Sequence, residues 1–244
     1  MKRATDTSIT MAPRHGARPH HARSMRPVRM PAVSLEQEPN VVGQRHRHTS
    51  HSLIFLEGDS AHHVFQVVEG AVMLYKLLPD GRRQVVELLG AGDVFGLSPH
   101  PVYDCSAESL AESNVIIYDR AAIERVPTFF LKLCMRVNAQ LCALHDHAML
   151  LGRKSALERV ASFVMRCVPG RGGYGCLGPR GKDDCATVQL GMTRQEIADY
   201  LGLTLETVSR AFSELRRRGV VSIEKQDMIR INDVCRVCRM TGMH

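Results

Sequence analysis

The sequence predicts an α+β fold in which an antiparallel β-roll precedes a long helix, two short helices and a β-hairpin. Three observations predict it: short apolar runs between glycine turns in the first half, an apolar heptad in the middle, and a compact pair of helical segments near the end. The 244 residues suffice for two small domains and a tail. An apolar content of 44% suits packed cores and argues against general disorder.

The N-terminal segment, residues 1–45, is rich in Arg, His and Pro and is predicted to be a disordered basic tail. In its first 31 residues, seven Lys or Arg accompany a single acid, so this stretch carries most of the net charge of +7. It lacks the apolar region of a secretory signal, and the longest apolar run of the chain is too short to span a membrane. We therefore expect a cytoplasmic protein. Met25 and Met30 are alternative start positions, which leaves open whether residues 1–30 are present in the mature protein.

Residues 46–126 are predicted to form the β-roll, because glycine turns separate short apolar runs and no helical pattern lies between them. Strands at this spacing are typical of an antiparallel sandwich or roll. The predicted strands are residues 52–56, 64–68, 71–77, 84–88 and 114–118.

Residues 127–153 are predicted to form a dimerisation helix, because apolar residues recur with the spacing 4-3-4-3-4-3. The seam consists of Phe130, Cys134, Val137, Leu141, Leu144, Ala148 and Leu151. Such a seam either packs on its own domain or pairs with a second helix. Because His145, Asp146 and His147 leave the other face polar, we favour self-association into a homodimer.

Residues 154–232 are predicted to form a winged helix-turn-helix. Thr193 to Glu196 reads as a capping box that starts the first helix of the pair, and Thr204 can cap the second. Ala198 is the small residue where two helices can meet, and Gly202 is the turn residue between them. Two apolar runs after the second helix predict the hairpin wing, and residues 233–244 are expected to be a C-terminal tail.

With the apolar positions of the second helix buried, Glu206, Ser209 and Arg210 share one outward face near its start. Arginine can bond bidentately to guanine, glutamate can accept from the cytosine amine, and serine can contact thymine. The sequence therefore predicts binding of double-stranded DNA. The predicted DNA-binding residues also include Thr204, Thr207 and Arg194. The run of arginines at 216–218 suits either phosphate binding or the C-terminus of the helix.

With these patterns the sequence resembles the Crp–Fnr superfamily of bacterial transcription regulators, and its FixK-like branch in particular. The resemblance covers residues 51–231. Four motifs carry it: Glu-Gly-Asp at 57–59, Asp-Gly at 80–81, Gly-Asp-Val-Phe-Gly at 92–96 and Glu-Thr-Val-Ser-Arg at 206–210. The resemblance implies a cyclic-nucleotide-binding-like roll and a dimer that reads TTGAT-type palindromes. It also implies activation, with RNA polymerase, of genes for low-oxygen respiration or nitrogen fixation.

The sequence departs from the sensing members of this superfamily. Residues 104–107 lack the arginine that holds a cyclic phosphate, and Leu97 stands where a glutamate would contact the ribose. No cysteine precedes Cys105, and Ile116 occupies the position of an additional cluster ligand, so a four-thiolate iron–sulfur cluster cannot form. We therefore expect no cofactor and no metal. Whether Cys105 is a redox switch or a small apolar residue stays open.

Two alternatives use the many His and Cys residues. The roll could sense a ligand such as haem or nitric oxide, or the chain could be a metal or thiol enzyme. No nucleophile and base stand at informative spacing, so an enzyme is not expected. Cys235 and Cys238 have metal-like spacing, but without a second pair we favour two thiols on a C-terminal tail.

Overall fold

The computed structural model describes residues 41–169, 178, 184–225 and 227–242. Most of the predicted basic tail, residues 1–45, lies outside these ranges. None of the helices within them combines the length and the hydropathy that a membrane crossing requires.

Eight strands of the described chain form the N-terminal domain as two four-stranded sheets. They are β1 (Gln44–His48), β2 (Leu53–Phe55), β3 (His63–Glu69), β4 (Ala71–Leu77), β5 (Arg83–Gly90), β6 (Val94–Phe95), β7 (Ser106–Ser109) and β8 (Ser113–Asp119). The sheets have the orders β1-β8-β3-β6 and β2-β7-β4-β5, and all neighbours are antiparallel. The predicted antiparallel roll is confirmed. Its first strand begins at Gln44, inside the segment predicted to be a tail.

Stacked aromatic rings fill the interior of the roll. The ring of Phe55 lies 3.8 Å from that of Tyr103, and the ring of Phe65 lies 5.0 Å from that of Phe95. Phe55 and Phe65 are 5.3 Å apart, so the four rings form one buried cluster. Aromatic contacts of this kind stabilise a core beyond the area that they bury.

A short helix, α1 (Arg120–Glu124), leads into a long helix, α2 (Pro127–Arg153). Pro127 occupies the first helical position, where its missing N–H costs no hydrogen bond. On one face, α2 buries Phe129, Leu133 and Leu150 against its own chain.

Gln140 of α2 forms hydrogen bonds with β6 at the edge of the roll. Its Oε1 accepts a hydrogen bond from the N–H of Val94 at 3.0 Å, and its Nε2 donates to the carbonyl of Val94 at 2.9 Å. The same Nε2 donates to the carboxyl group of Glu87 at 3.0 Å. Val94 lies in β6, the last strand of its sheet. One side chain of the long helix therefore pairs both backbone groups at that edge.

The C-terminal domain is a winged helix-turn-helix, as predicted. Its elements are α3 (Ala156–Arg166), β9 (Ala186–Gln189), α4 (Arg194–Leu201), α5 (Leu205–Arg217), β10 (Val221–Ile223) and β11 (Met228–Ile231). The wing is an antiparallel sheet of order β10-β11-β9, so β9 adds a third strand to the predicted hairpin.

Residues 233–244, expected to be a tail, contain a sixth helix, α6 (Val234–Arg239). The side chain of Asp233 caps it by accepting from the N–H of Arg236 at 2.8 Å. Val234 and Val237 are buried in the core of the DNA-binding domain and hold the helix there. Cys235 and Cys238 are half-buried on a packed helix rather than placed on a tail.

Candidate nucleic-acid interface

Gly202 forms the turn between α4 and α5. Its φ of 60° and ψ of 44° place it in the left-handed region, as its predicted role as turn residue requires. The N–H of Leu203 donates to the carbonyl of Ala198 at 3.0 Å and so closes the end of α4. Ala198 is fully buried where the two helices meet. This turn sets the direction in which α5 leaves α4.

Side-chain caps begin both helices at the predicted residues. Thr193 and Glu196 form a reciprocal capping box at the start of α4. The Oγ1 of Thr204 accepts from the N–H of Thr207 at 3.2 Å at the start of α5. A cap of this kind stabilises a helix by about 1 kcal/mol.

Glu206, Ser209 and Arg210 form an exposed face on the first half of α5, which we call the recognition face. The opposite side of the helix is buried through Val208 and Ala211. Further along α5, the ion pairs between described residues join Glu214 to Arg217 and Arg218 and do not include Arg210. Arg210 thus contributes an exposed guanidinium to the recognition face, outside the ion pairs that Glu214 forms in the described part of the chain.

Glu206 is ionised on this face. Hydrogen bonds from its own backbone N–H and from the Thr204 side chain lower the pKa of its carboxyl group, and the positive charge of Arg210 acts in the same direction. A negative charge is also favoured at the N-terminus of a helix. Glu206 is therefore an acceptor beside two donors, Ser209 and Arg210, which is the chemistry needed to read base edges.

Two other predicted DNA-binding residues make contacts within the domain. Arg194 is half-buried, and its guanidinium carbon lies 3.7 Å from the centroid of the Phe212 ring. Burial lowers the pKa of Arg194, and the stacking joins the start of α4 to α5. Thr207 is half-buried, with its hydroxyl 3.0 Å from that of Thr204. Thr204 itself is exposed.

Two of the arginines at the end of α5 form ion pairs with the carboxylate of Glu214 in the same helix. Glu214 accepts two hydrogen bonds of 2.8 Å from Arg217 and one of 2.6 Å from Arg218. These bonds lower the pKa of Glu214 to about 2. Arg216 is exposed beside them. Part of the positive charge at this end is therefore balanced within the helix.

Most of the predicted seam of α2 is exposed, while Leu151 at its end packs against the chain's own core. Phe130, Val137 and Leu141 are 49%, 38% and 45% exposed. The other members are exposed or half-buried: Cys134, Leu144, Ala148 and Leu151. A continuous apolar row of this length is typical of a surface that another protein covers.

The segment that would hold a cyclic phosphate has a different chemistry here. The buried hydroxyl of Ser106 accepts from the N–H of Glu57 at 3.0 Å, while Asp104 is exposed. Burial raises the pKa of the Cys105 thiol to about 12, and the neighbouring Asp104 acts in the same direction. A thiol with that pKa stays protonated at neutral pH, which disfavours the redox-switch reading of Cys105.

Contacts between the roll and the DNA-binding domain position the recognition face, and the sequence did not predict them. Arg83 in β5 donates to Asp199 in α4 at 2.9 Å, and the Nε2 of Gln84 lies 3.5 Å from the carbonyl oxygen of Tyr200. The ring of His147 in α2 stacks on that of Tyr200 at 4.2 Å. Burial lowers the pKa of His147 to about 4, so this ring is neutral.

Arg159 of α3 hydrogen-bonds to carbonyl groups at the C-terminal ends of α2 and α4. Its Nη1 donates to the carbonyl of Leu201 at 2.9 Å, and its Nη2 donates to the carbonyl of Leu151 at 2.6 Å. A cation at a helix C-terminus pairs carbonyls that have no partner within the helix. Because Leu201 ends α4 and Leu151 lies in the last turn of α2, the helix-turn-helix is tied to the long helix.

The N-terminal and the C-terminal domain each match a known protein family. Residues 45–127 match the cyclic nucleotide-binding domain, and residues 158–240 match the Crp-like helix-turn-helix domain. The first range covers the roll and the second covers the winged helix-turn-helix with α6.

Known relatives and a solved structure agree with these matches. The nitrogen fixation regulation protein FixK of Bradyrhizobium diazoefficiens is 39% identical over 188 residues, which cover 75% of this chain and 76% of the relative. The transcriptional activatory protein AadR of Rhodopseudomonas palustris is 37% identical over 196 residues, 79% of each chain. The structure of FixK2 from Bradyrhizobium japonicum has a TM-score of 0.69 at 35% identity and covers 82% of this chain and 97% of its own. The chain therefore belongs to the Crp–Fnr superfamily of DNA-binding transcription regulators, in the branch that contains FixK.

Proposed function

We propose that the protein binds TTGAT-type palindromes as a homodimer and activates genes for low-oxygen respiration or nitrogen fixation. The observation that carries this proposal is the recognition face, exposed on the first half of α5. In helix-turn-helix proteins this part of the second helix enters the major groove.

The chemistry of the recognition face suits a TTGAT half-site. Such a half-site contains a single G·C pair. Arg210 supplies two donors for the O6 and N7 of the guanine, and Glu206 supplies an acceptor for a cytosine amine. Ser209 is small enough to lie beside a thymine methyl group. A carboxylate facing polyanionic DNA is unfavourable unless it accepts from a base, so Glu206 is assigned to specificity rather than to affinity.

The exposed seam of α2 supports the homodimer. Pairing two copies along this seam buries apolar side chains that a monomer leaves in water. A two-fold axis along α2 relates the two recognition faces, and dimers of this class bind half-sites about 34 Å apart, one turn of DNA.

Two features support DNA binding without a small effector or an iron–sulfur cluster. Aromatic rings already occupy the interior of the roll. Gln140 of α2 donates a hydrogen bond to Glu87 of the roll, and burial, with a smaller contribution from the carboxylate of Asp93, raises the pKa of Glu87 to about 7. A cyclic phosphate placed there would face the carboxyl groups of Glu87 and Asp93.

The functions for which related proteins are named support the biological role. They include FixK proteins as regulators of nitrogen fixation and the transcriptional activator FnrL of Cereibacter sphaeroides. An activator acts on RNA polymerase, which we therefore assign as the second macromolecular partner.

The test is binding of the full chain to a duplex carrying TTGAT-N4-ATCAA against a scrambled duplex at fixed salt. Each titration is repeated with and without cyclic AMP, and under air and under nitrogen, while light scattering reports the mass of the complex. Selective binding of two chains per duplex in every condition supports the proposal. Binding that requires cyclic AMP or the absence of oxygen overturns effector independence, and equal binding to both duplexes overturns the recognition face.

A further inference from the structure

Three side chains from two domains converge where the roll meets α4. His51 lies in the turn before β2, Glu108 lies in β7, and Glu196 lies in the first turn of α4. The Nδ1 of His51 is 3.3 Å from Oε1 of Glu108 and 3.4 Å from Oε1 of Glu196. The three atoms all lie within 4.8 Å of one another. One imidazole nitrogen and two carboxylate oxygens therefore point at a common centre.

Each carboxylate is held in place through its other oxygen. Oε2 of Glu196 accepts from the N–H of Thr193 at 2.7 Å and from its hydroxyl at 2.9 Å, which leaves Oε1 toward His51. Oε2 of Glu108 lies 3.6 Å from Nη1 of Arg83, which leaves its Oε1 toward the same histidine. Glu196 is only 4% exposed, and its Oε1 faces the Nδ1 of His51 at 3.4 Å, the same nitrogen that lies within hydrogen-bond distance of Glu108. A buried carboxylate needs a cationic partner, and either a protonated His51 or a bound cation would supply it.

Two of the three distances between the ligand atoms match a tetrahedral zinc site, and the third is below 4.8 Å. Zinc bonds to nitrogen and oxygen are about 2.0–2.1 Å long, so neighbouring ligand atoms of a tetrahedron lie about 3.3–3.4 Å apart. The two distances from His51 have these values. The local charge is also suitable, because in the described ion pairs the three carboxylates of Glu108, Glu196 and Asp199 outnumber their basic partners, Arg83 and His51.

We propose that His51, Glu108 and Glu196 bind a divalent transition-metal cation, with zinc as the best fit to one nitrogen and two oxygen ligands. Three protein ligands leave a fourth position for water, and the half-exposed side chain of His51 keeps that position open to solvent. This site lies apart from both the recognition face and the seam of α2, and it departs from the expectation from the sequence that the chain binds no metal.

The proposed ion would link the two domains. His51 and Glu108 belong to the roll, while Glu196 begins the helix that leads through Gly202 into α5. Bound zinc would therefore fix the orientation of the recognition face relative to the roll. This consequence rests on the proposed function, whereas zinc binding itself does not.

The experiment measures zinc binding to the metal-free full chain by competition with a chromophoric chelator, without DNA. The test variants are His51→Gly and Glu108→Gln. Glycine is chosen because His51 has a φ of 58°, which glycine adopts without strain. The matched controls are His62→Ala and Glu112→Gln, which change an exposed histidine and an exposed glutamate outside the cluster.

The wild type and both controls are expected to bind one zinc ion that the two test variants lose. Loss of one ligand should lower the zinc affinity by more than about 10-fold. Even the loss of a residue that only hydrogen-bonds to a metal ligand lowers metal affinity by about this factor, and loss of the ligand itself should cost more. Zinc should also raise the melting temperature of the wild type and the controls but not of the test variants. Equal zinc binding by His51→Gly and His62→Ala overturns the proposal, whether or not the chain binds its DNA site.

Discussion

Arg83 in the roll and Asp199 in the first helix of the helix-turn-helix are joined by a hydrogen bond of 2.9 Å. Their side chains are 25% and 10% exposed, so water screens this ion pair only in part. The next residue of α4 is Tyr200, whose ring is covered by that of His147 in the long helix. The DNA-binding domain is therefore docked on the rest of the chain through charge as well as apolar contact.

A double-mutant cycle measures the coupling between these domains. Arg83→Ala and Asp199→Ala, alone and together, should give a coupling free energy of unfolding of about 1–3 kcal/mol, as expected for a shielded charged hydrogen bond. The matched control is Arg82 with Asp80, a pair at 2.8 Å whose side chains are 76% and 53% exposed. That pair should show coupling close to zero in the same urea titrations. Equal coupling in both cycles would show that the interdomain pair is no stronger than a surface pair.

Replacing Arg210 tests base reading. Arg210→Ala should weaken binding to the TTGAT palindrome by about 5–150-fold, because a bidentate contact to guanine contributes about 1–3 kcal/mol of discrimination. Binding to the scrambled duplex should change little. Arg217→Ala is the control, since Arg217 is already bound to Glu214 and should affect both duplexes alike. Fluorescence anisotropy at fixed salt gives both affinities, and equal losses for Arg210→Ala on the two duplexes would refute base reading.

Two glycine substitutions separate turn geometry from helix propensity. Gly202→Ala should lower the free energy of unfolding by about 1–2 kcal/mol, because a φ of 60° is strained for alanine. A Cβ at this position has room, its nearest neighbour being Leu151 Cδ2 at 3.4 Å. Gly152→Ala should instead stabilise by about 0.5–1 kcal/mol, since it lies in α2 with open space around its Cβ. Urea unfolding measures both, and a neutral Gly202→Ala would contradict the turn.

Glu87 predicts a pH dependence of stability. Burial raises the pKa of its carboxyl group from 4.5 to about 7, and nearby Asp93 adds to this effect while the hydrogen bond from Gln140 opposes it. Because the pKa is higher in the folded state, the stabilisation is complete below pH 4.5 and is lost as the pH rises through 7. The shift corresponds to at most about 3 kcal/mol.

The variant Glu87→Gln isolates this contribution. A neutral amide can still accept the hydrogen bond of Gln140, so the variant should be more stable than the wild type at pH 8 and close to it at pH 4.5. Chemical unfolding across this pH range gives the comparison. An unchanged pH profile in Glu87→Gln would assign the dependence to other groups.

Local chemistry made the helix-turn-helix predictable. Gly202, Ala198 and the two threonine caps act through neighbours within a few residues, so their roles follow from spacing alone. The exposure of Glu206 and Arg210 follows in the same way from the buried positions between them.

The elements that were missed depend on distant partners. The sequence QRHRH of β1 has no apolar alternation, because this edge strand is held by pairing with β8 rather than by a buried face. The polar sequence SAES of β7 is a central strand whose serine hydroxyls are satisfied inside the roll. The cluster of His51, Glu108 and Glu196 spans the chain, so no local spacing could indicate it.

The two hydrogen bonds between Gln140 and Val94 also affect how the edge of the sheet can pair with other chains. An outer strand with unpaired peptide groups is a template for uncontrolled assembly with other chains. At β6 both peptide groups of Val94 are already occupied by one side-chain amide, which imitates the next strand of the sheet. The residue that anchors the long helix to the roll therefore also leaves the peptide groups of Val94 unavailable to a strand from another chain.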